Sequence, residues 1–574
     1  MPTGFVRRSL AVMTATALAV VLCASPADAW PSQSPPSRTV DVRLIGINDF
    51  HGNLQPPTGS SGRVVIGGVA EPVDAGGAAY LATHVKTLGS QSKNSILLSA
   101  GDNIGASPLP SALFHDEPTI EFLGDIGLDA SAVGNHEFDE GYAELKRIQL
   151  GGCHPTDGCQ FRQNYTGAKF PYLGANVFFS NGFPAVLPFT VKFEGGIPIA
   201  IIGVTLHDLP SVVTPAAVQG LKFGDEVQAI DRTANLLDRL GIKTLIVTMH
   251  QGDGSLGGGP DACNVTPGIA QTIATTATPK VDAFFTGHSL QQYNCSVNDP
   301  AGNPRPVIQG LSFGQLLSVI DIKIDKKTRD VIRSATVAQN VIVTRTVDAD
   351  PVVQKLVDDA VALSAPIGNT PVGSIAADLV RAAPPSGEQP LGDVIADAQL
   401  AATISNDAQI AITNPGGIRA DLVVAPSGAE GPGVVTYAEA FAVQPFSNIM
   451  QTITLTGAQL DAVLEQQWQQ TSPTTPVVVK ILQISESLHY SQNLSQPIGD
   501  RVSHITVDGV AVDLTGSYRV SVNNFLAAGG DGFTVFAQGT DLAGGPIDLD
   551  AFTAYLTAHP NLAPPPADRV TVIG

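Results

Sequence analysis

The sequence predicts an α/β protein with two layered domains joined by a helix. Short apolar runs rich in β-branched residues alternate with segments whose apolar residues recur at helical spacing, as expected for strands and helices packed in layers. The chain has 574 residues, more than one domain usually holds. Hydrophobic residues make up 43% of it and charged residues only 14%, so there is apolar material for more than one core.

The first 29 residues are predicted to be an export signal. Arg7 and Arg8 precede the apolar run LAVMTATALAVVLCA, and the small residues Ala27 and Ala29 predict cleavage after Ala29. Because no later stretch is apolar over the roughly 18 residues of a membrane helix, no transmembrane segment is expected. The mature protein is therefore expected to be secreted or held at the cell surface, and we expect a monomer.

Residues 40–342 are predicted to form the first domain. Its strands are expected in VDVRLIGIND, NSILLSAGDN, IPIAIIGVT, TLIVTMHQGD and VDAFFTGHS, and its helices in AAYLATHVKTL and EVQAIDRTANLLDRL. Each predicted strand is followed by polar residues. In layered α/β sheets, ligands bind at the loops that leave the strand ends.

A linker helix and a second domain are predicted to follow. Residues 343–368 form the expected linker, with a helix that begins near Val347 and ends before Pro366. Residues 369–574 form a second α/β region, with a helix in LGDVIADAQLAATIS and a strand in DAQIAITNPGG.

Four cysteines remain after the predicted cleavage, which favours disulfides in an exported chain. The short spacing in CHPTDGC favours the pair Cys153–Cys159, which leaves Cys263–Cys295. The other two pairings are possible as well.

The charge argues against nucleic acid as a partner. The chain has 31 basic and 52 acidic residues and a formal net charge of -21. Binding a polyanion requires a basic face, so we expect no nucleic-acid partner.

The ends of successive strands carry residues that bind metals. They lie in NDFHGN, GDN, GNHEFD, MHQGDG and GHS, and comprise Asp49, His51, Asp102, Asn135, His136, His250 and His288. Any one of them could be an ordinary loop or capping residue, but their recurrence at successive strand ends favours a metal site. Two divalent ions need a bridging carboxylate and further oxygen and imidazole ligands. Asp102 suits the bridge, with Asp49 and His51 on one ion and Asn135, His250 and His288 on the other. These ligands suit Zn, Mn or Co-type ions.

The order D-x-H, GD-N, GNHE-F-D, H and GH resembles the calcineurin-like metallophosphoesterases, and the spacing with the second domain resembles the 5'-nucleotidase family among them. The resemblance implies that Asn135 is a metal ligand and that His136 faces the substrate phosphate and acts on the leaving oxygen. It implies that Asp139 orients the His136 imidazole. Glu137 and Glu140 are expected to make local hydrogen bonds or face solvent.

Two positions depart from the family pattern. Leu290 stands where the family has a further metal ligand, so either Gln291 or a water takes that place or the first metal site is weak. Gly387 stands where the family often has an arginine. Arg381 is one candidate to replace that arginine, and loss of one phosphate contact is the other possibility.

The second domain resembles the substrate-binding domain of the same family. The resemblance implies that Phe446 and Phe525 stack on the base and that Asp531 binds the ribose. It also implies substrate contacts by Asn414, Gly417 and Arg419, because arginine binds phosphate through a planar fork. Asp393 replaces a common asparagine, with an expected structural effect.

The expected function is an exported, dimetal phosphohydrolase that removes the 5'-phosphate from nucleotides, AMP and possibly ATP and ADP. A 2',3'-cyclic-nucleotide phosphodiesterase with 3'-nucleotidase activity or a UDP-sugar hydrolase is the enzymatic alternative. A nucleotide-binding surface protein with impaired catalysis is the alternative favoured by Leu290 and Gly387.

Overall fold

The computed structural model describes residues 37–66, 72–213, 216–265, 268–470 and 477–573. The predicted export signal lies outside these ranges. Within them, no helix has both the length and the apolar character that crossing a membrane requires.

The N-terminal part contains two six-stranded sheets. The strands of the first lie in the order Val337–Ile342, Leu316–Asp325, Thr39–Ile47, Ser95–Ser99, Ala130–Ala132 and Tyr172–Leu173. Those of the second lie in the order Gln292–Asn298, Pro304–Gly310, Ala283–Thr286, Thr244–His250, Ile197–Thr205 and Phe189–Glu194. Inner strands of each sheet run parallel, so their carboxyl ends reach the same edge. All five predicted strands are confirmed.

The two sheets pack face to face around an apolar core. Leu44 and Leu98 of the first sheet and Ile201 and Ile246 of the second are fully buried in one cluster. The sheets approach so closely that a Cβ on Gly46 would lie 2.3 Å from the Phe285 ring.

Helices cover the outer face of each sheet and complete a layered α/β-β/α domain. The first sheet is covered by Ala78–Ser90, Glu117–Asp125, Tyr142–Leu150 and Pro351–Gly368, and the short helix Leu109–Ala112 packs against the second and fourth of these. The second sheet is covered by Glu226–Arg239 and Ile269–Thr276. The two helices predicted in this part are confirmed.

The linker helix departs from the prediction at both ends, since it spans Pro351–Gly368. It begins where the Asp350 side chain accepts the N–H groups of Val352 and Val353, which caps its first turn. The predicted end before Pro366 is wrong. Proline lacks only its own N–H, and Pro366 lies on an exposed face of the last turn, where water can solvate the carbonyl that loses its partner.

The C-terminal part is a second α/β region. Its five-stranded sheet has the order Gln483–Ile484, Ile410–Thr413, Ser517–Asn523, Ile449–Thr456 and Thr540–Ile547, and a four-stranded sheet has the order Val510–Ala511, Val502–Val507, Leu488–Gln492 and Val570–Val572. The helices are Pro390–Thr403, Tyr437–Val443, Gly457–Glu465, Asn524–Ala527 and Asp548–Ala558. The helix and strand predicted for this half are confirmed as Pro390–Thr403 and Ile410–Thr413.

Shorter elements connect these layers. Two-stranded pairs are formed by Leu221–Phe223 with Val177–Phe179, Pro371–Ser374 with Val434–Thr436, Arg63–Val64 with Val73–Asp74, and Trp468–Gln469 with Val478–Val479. The 3-10 helices are Gly59–Gly62, His136–Phe138, Leu209–Ser211, Arg333–Ala335, Ile404–Asn406, Pro415–Gly417, Gly530–Gly532 and Phe536–Gln538. Disulfides join Cys153 to Cys159 and Cys263 to Cys295, which confirms the favoured pairing.

Candidate functional site

The strand-end residues singled out in the sequence converge at one edge of the two sheets. Asp49, His51 and Asp102 are almost completely buried there, as are Asn135 and His250. His136 and His288 are partly buried beside them. Seven residues from the ends of five strands therefore form one cluster.

The carboxylate of Asp102 lies at the centre of this cluster. Its ligand atom lies within 4.8 Å of those of His51 and His136 in one group, and of those of His250 and His288 in another. Its Oδ2 atom is 3.0 Å from His250 Nε2 and 3.7 Å from His51 Nε2. One carboxylate shared by two groups of imidazoles is the arrangement that two neighbouring ions require.

The remaining predicted ligands border these groups. The amide oxygen of Asn135 is 3.1 Å from His250 Nε2. The Asp49 carboxylate accepts the N–H of His288 at 2.9 Å and the Asn48 amide at 2.7 Å. Burial, together with Asp102, raises the pKa of Asp49 to about 7 against the lowering effect of His250. A buried carboxylate with a raised pKa favours a nearby positive charge.

Two imidazoles are oriented by backbone carbonyls. His51 Nδ1 lies 2.9 Å from the Gly105 carbonyl, and His250 Nδ1 lies 2.8 Å from the Ala100 carbonyl. A proton on each Nδ1 leaves the Nε2 lone pair directed toward Asp102. This is how metal-binding histidines are usually held.

Glu137 fixes the loops that carry Asp102 and Asn135. Its carboxylate accepts the N–H groups of Asp102 and Asn103 at 2.9 Å and of Gly134 at 2.5 Å. The predicted local role of Glu137 is thus what the structure shows. Only glycine fits at position 134, because a Cβ there would lie 2.1 Å from Asp102 Oδ1.

His136 faces the cavity and is held from behind by Asp139. Its Nδ1 atom is 2.8 Å from Asp139 Oδ2, and its backbone N–H donates to Asp102 Oδ1 at 2.9 Å. Burial lowers the pKa of His136, but the carboxylates of Asp139 and Asp102 outweigh it, so the net shift is upward. The geometry presents Nε2 of a basic imidazole to whatever occupies the cavity.

Residues of the C-terminal part close the cavity over this cluster. Arg419 Nη2 is 3.4 Å from His51 Nε2. The Phe446 ring stacks on the His136 ring at 5.6 Å with 19° between the planes, and the Arg419 guanidinium lies 5.8 Å from the centre of the Phe446 ring. An arginine and an aromatic ring therefore stand directly beside the buried imidazoles.

The cavity has a volume of about 290 Å³ and extends away from this cluster. Its lining includes the predicted residues Asn135, His136, Asp139, His288, Asn414, Gly417, Arg419, Phe446, Phe525 and Asp531. At the far end, Asp531 accepts the Asn414 amide at 2.7 Å. Predicted metal and substrate residues thus share one space.

Lys480 also lines the cavity and was not singled out in the sequence. Its Nζ donates to Asp531 Oδ1 at 2.8 Å. It stands alone in the apolar run VVVKIL, and that isolation was the signal that could have found it. Gly416, next to the predicted Gly417, also lines the cavity, and Asn448, Val212 and Val213 complete the lining and carried no comparable signal.

Comparisons with known proteins decide the family. Residues 42–292 match the sequence model of calcineurin-like phosphoesterases, and residues 366–538 match that of the C-terminal domain of 5'-nucleotidases. The cell wall protein Lmo0130 of Listeria monocytogenes is 30% identical over 556 residues, which cover 90% of this chain and 67% of that protein. The chain belongs to the 5'-nucleotidase family of calcineurin-like phosphoesterases.

Other members differ in length and sequence. Endonuclease YhcR of Bacillus subtilis is 29% identical over 530 residues, which cover 91% of this chain but only 40% of that protein. The solved structure of a 5'-nucleotidase precursor from Thermus thermophilus is similar with a TM-score of 0.75 and 24% identity, over 93% of this chain and 99% of that one. That similarity supports the two-domain α/β fold.

The two departures from the family pattern have local structural settings. Gly387 has a φ of +81°, and a Cβ there would lie 2.4 Å from Ile481, so an arginine does not fit this backbone. Arg381 does not replace the missing arginine in the cavity lining, since its guanidinium donates to Asp421 at 3.1 Å and to Ser61 at 2.9 Å. Lys480 and Arg419 are the cations among the described lining residues.

Gln291 lies beside Leu290, immediately before the edge strand Gln292–Asn298. Its carbonyl accepts the N–H of Leu311 at 2.9 Å and the Gln309 amide at 3.1 Å. The backbone is therefore fixed, and a ligand role for the Gln291 side chain stays a prediction.

Proposed function

We propose that this chain is an exported metal-dependent phosphohydrolase that releases phosphate from 5'-nucleotides, AMP first among them. The observation that carries the proposal is the shared Asp102 carboxylate beside a cavity that also holds Arg419, Phe446 and Phe525. Hydrolysis of a nucleotide requires a phosphate site and a base site within one cavity. This cavity is lined by an arginine suited to phosphate and by two phenylalanines suited to a base.

Two divalent ions of the Zn, Mn or Co type fit the residues present. His51, Asp49 and the shared Asp102 would hold one ion, and Asn135, His250 and His288 would complete the second, with Gln291 or a water near Leu290. The donors fit because buried carboxylates alternate with imidazoles whose Nδ1 atoms are already engaged. Such ions, when bound, polarise the phosphoryl group and lower the pKa of water.

The remaining steps are proposed for the side chains of the chain itself. Arg419 would bind a phosphate oxygen, since its guanidinium reaches the edge of the metal cluster. His136 would neutralise the charge that develops on the leaving 5'-oxygen, and Asp139 would keep the imidazole in the tautomer that does so. Phe446 and Phe525 would stack on the base, while Asp531, Asn414 and Lys480 would contact the ribose.

An extracellular location is proposed as well. Structural disulfides are typical of oxidising compartments and rare in the cytosol, and one relative is named as a cell wall protein.

A second candidate is cleavage of a phosphodiester, such as a 2',3'-cyclic nucleotide. Similarity to a protein named as an endonuclease favours it. The metal cluster would serve either reaction, so the shape of the cavity decides between them.

A substrate panel tests the proposal. We would measure kcat/KM for AMP, ATP, a 2',3'-cyclic nucleotide and UDP-glucose with the Mn²⁺-loaded mature chain. His559→Ala serves as control, since this exposed histidine stacks on Tyr555 outside the cavity. The highest kcat/KM for a 5'-monophosphate supports the nucleotidase. A higher value for the cyclic nucleotide would replace it with the second candidate.

A further inference from the structure

A second group of metal-binding side chains lies outside the cavity. His115 Nε2 is 2.9 Å from Asp157 Oδ2, and His154 Nδ1 is 3.3 Å from the same oxygen. The ligand atoms of these three residues all lie within 4.8 Å of one another. His154 and Asp157 belong to the loop closed by the Cys153–Cys159 disulfide, so the cluster joins that loop to the loop that carries His115.

The distances are close to those that a metal ion imposes. Zinc binds imidazole nitrogen and carboxylate oxygen at about 2.0–2.1 Å, which places two tetrahedral ligands about 3.3 Å apart. The contacts to Asp157 Oδ2 lie within a few tenths of an ångström of that separation. The His115 and His154 rings are stacked with their centroids 3.8 Å apart, and a nitrogen of each ring approaches the same carboxylate oxygen. The one competing contact is the N–H of Asp157, 3.2 Å from His154 Nδ1.

The other nitrogen of His115 is held as in known metal sites. Its Nδ1 lies 2.8 Å from Glu140 Oε2, the carboxylate partner that a metal-binding histidine usually has on its free nitrogen. Glu144 also lies near this nitrogen, but both of its oxygens accept bonds from the Arg147 guanidinium at 2.9 Å or less. The Nε2 side of His115 is therefore the side open to an ion.

The cluster lies directly behind the catalytic loops. Asp116, next to His115, accepts the N–H of Gly105, whose carbonyl orients His51. Glu140 follows Asp139, which orients His136. Anchoring His115 and Glu140 would thus restrain two residues that hold active-site imidazoles.

We propose that His115, His154 and Asp157 bind a third divalent transition-metal ion, of which Zn²⁺ fits best, and that this ion fastens the disulfide loop to the loops behind the active site. Two imidazoles and one carboxylate leave a fourth position for water, a common zinc arrangement. The alternative is an ion pair alone, in which a protonated His115 bridges Glu140 and Asp157 without metal.

Counting bound zinc distinguishes a third metal site from an ion pair without metal. The mature full-length chain, stripped with chelator, would be dialysed against buffered Zn²⁺ and its zinc measured by elemental analysis. We expect His154→Ala and Asp157→Asn each to bind one zinc fewer than the wild type and the His559→Ala control. Glu140→Gln keeps all three ligands, so it should retain the site with about 10–100-fold weaker affinity.

Two further readouts keep the test independent of the proposed reaction. Metal-free His154→Ala should melt at the wild-type temperature, and added Zn²⁺ should raise the melting temperature of the wild type more than that of the variant. Phosphate release at saturating Mn²⁺ should be the same for the wild type and His154→Ala. The zinc content does not depend on activity, so it tests the third site even if the chain hydrolyses none of the nucleotides. Equal zinc content in the wild type, His154→Ala and Asp157→Asn would overturn the proposal in favour of the ion pair.

Discussion

Replacing Asp139 with asparagine tests whether the His136 imidazole acts on the leaving group. Asp139 Oδ2 lies 2.8 Å from His136 Nδ1, and the aspartate is partly exposed. A hydrogen bond to a charged group contributes about 1.5–3 kcal/mol, which corresponds to about 10–160-fold in rate when it acts in the transition state. We expect kcat for AMP to fall by that factor, because the amide cannot stabilise an imidazolium as a carboxylate does. KM should change by less than about twofold, because Asp139 acts through the His136 imidazole on charge that develops only in the transition state.

The assay is steady-state phosphate release at saturating Mn²⁺, with metal content measured in parallel. Asp125→Asn is the matched control, since that carboxylate pairs with Lys169 at 2.8 Å and does not line the cavity. His136→Ala alone should cost about 10²–10⁴-fold. In the His136→Ala background, Asp139→Asn should cost nothing further, because the two residues act as a unit. The same loss in both backgrounds, or a loss no larger than that of Asp125→Asn, would refute the reasoning.

Three further changes test other parts of the site and fold. Asp102→Asn removes the carboxylate shared by both ligand groups and should weaken the binding of both ions by more than about 100-fold in equilibrium dialysis; retention of both at wild-type affinity would contradict a bridging role. Phe525→Ala should raise KM for AMP by about 5–160-fold with kcat unchanged, because stacking on a base contributes about 1–3 kcal/mol; an unchanged KM would argue against stacking. Burial raises the pKa of Asp393 to about 8 against the charge of Arg569, so the folded chain keeps a proton there that the unfolded chain releases above about pH 4. The free energy of unfolding of the wild type therefore falls as the pH rises through this window. Relative to the wild type, the free energy of unfolding of Asp393→Asn, measured with urea, should rise by up to about 1.4 kcal/mol per pH unit between pH 5 and 8. A difference that stays constant with pH would show that Asp393 does not titrate there.

Local sequence signals sufficed to predict that the candidate metal-binding residues converge. Asp49, His51 and His250 directly follow or end apolar strands, and parallel strands bring such ends to one edge. The sequence therefore predicted which residues meet. It also predicted the disulfides, because Cys159 lies only six positions after Cys153 and one pair then remained.

Contacts between distant segments were beyond sequence reasoning. Arg419 meets His51 across 368 positions, and Lys480 meets Asp531 across 51, so each contact depends on how whole layers pack. Pro366 shows the opposite limit, since the helix continues past a residue that usually ends one, on an exposed face where water can solvate the freed carbonyl.

The most direct test of the account is metal-dependent release of phosphate from AMP. The purified mature chain would be stripped with chelator and then given Mn²⁺, Zn²⁺ or Co²⁺, with His136→Ala as the control. The account predicts no release without metal, recovery with at least one of the three ions, and loss of that recovery in His136→Ala. A folded chain that binds AMP but releases no phosphate with any of these ions would contradict it and indicate a nucleotide-binding protein instead.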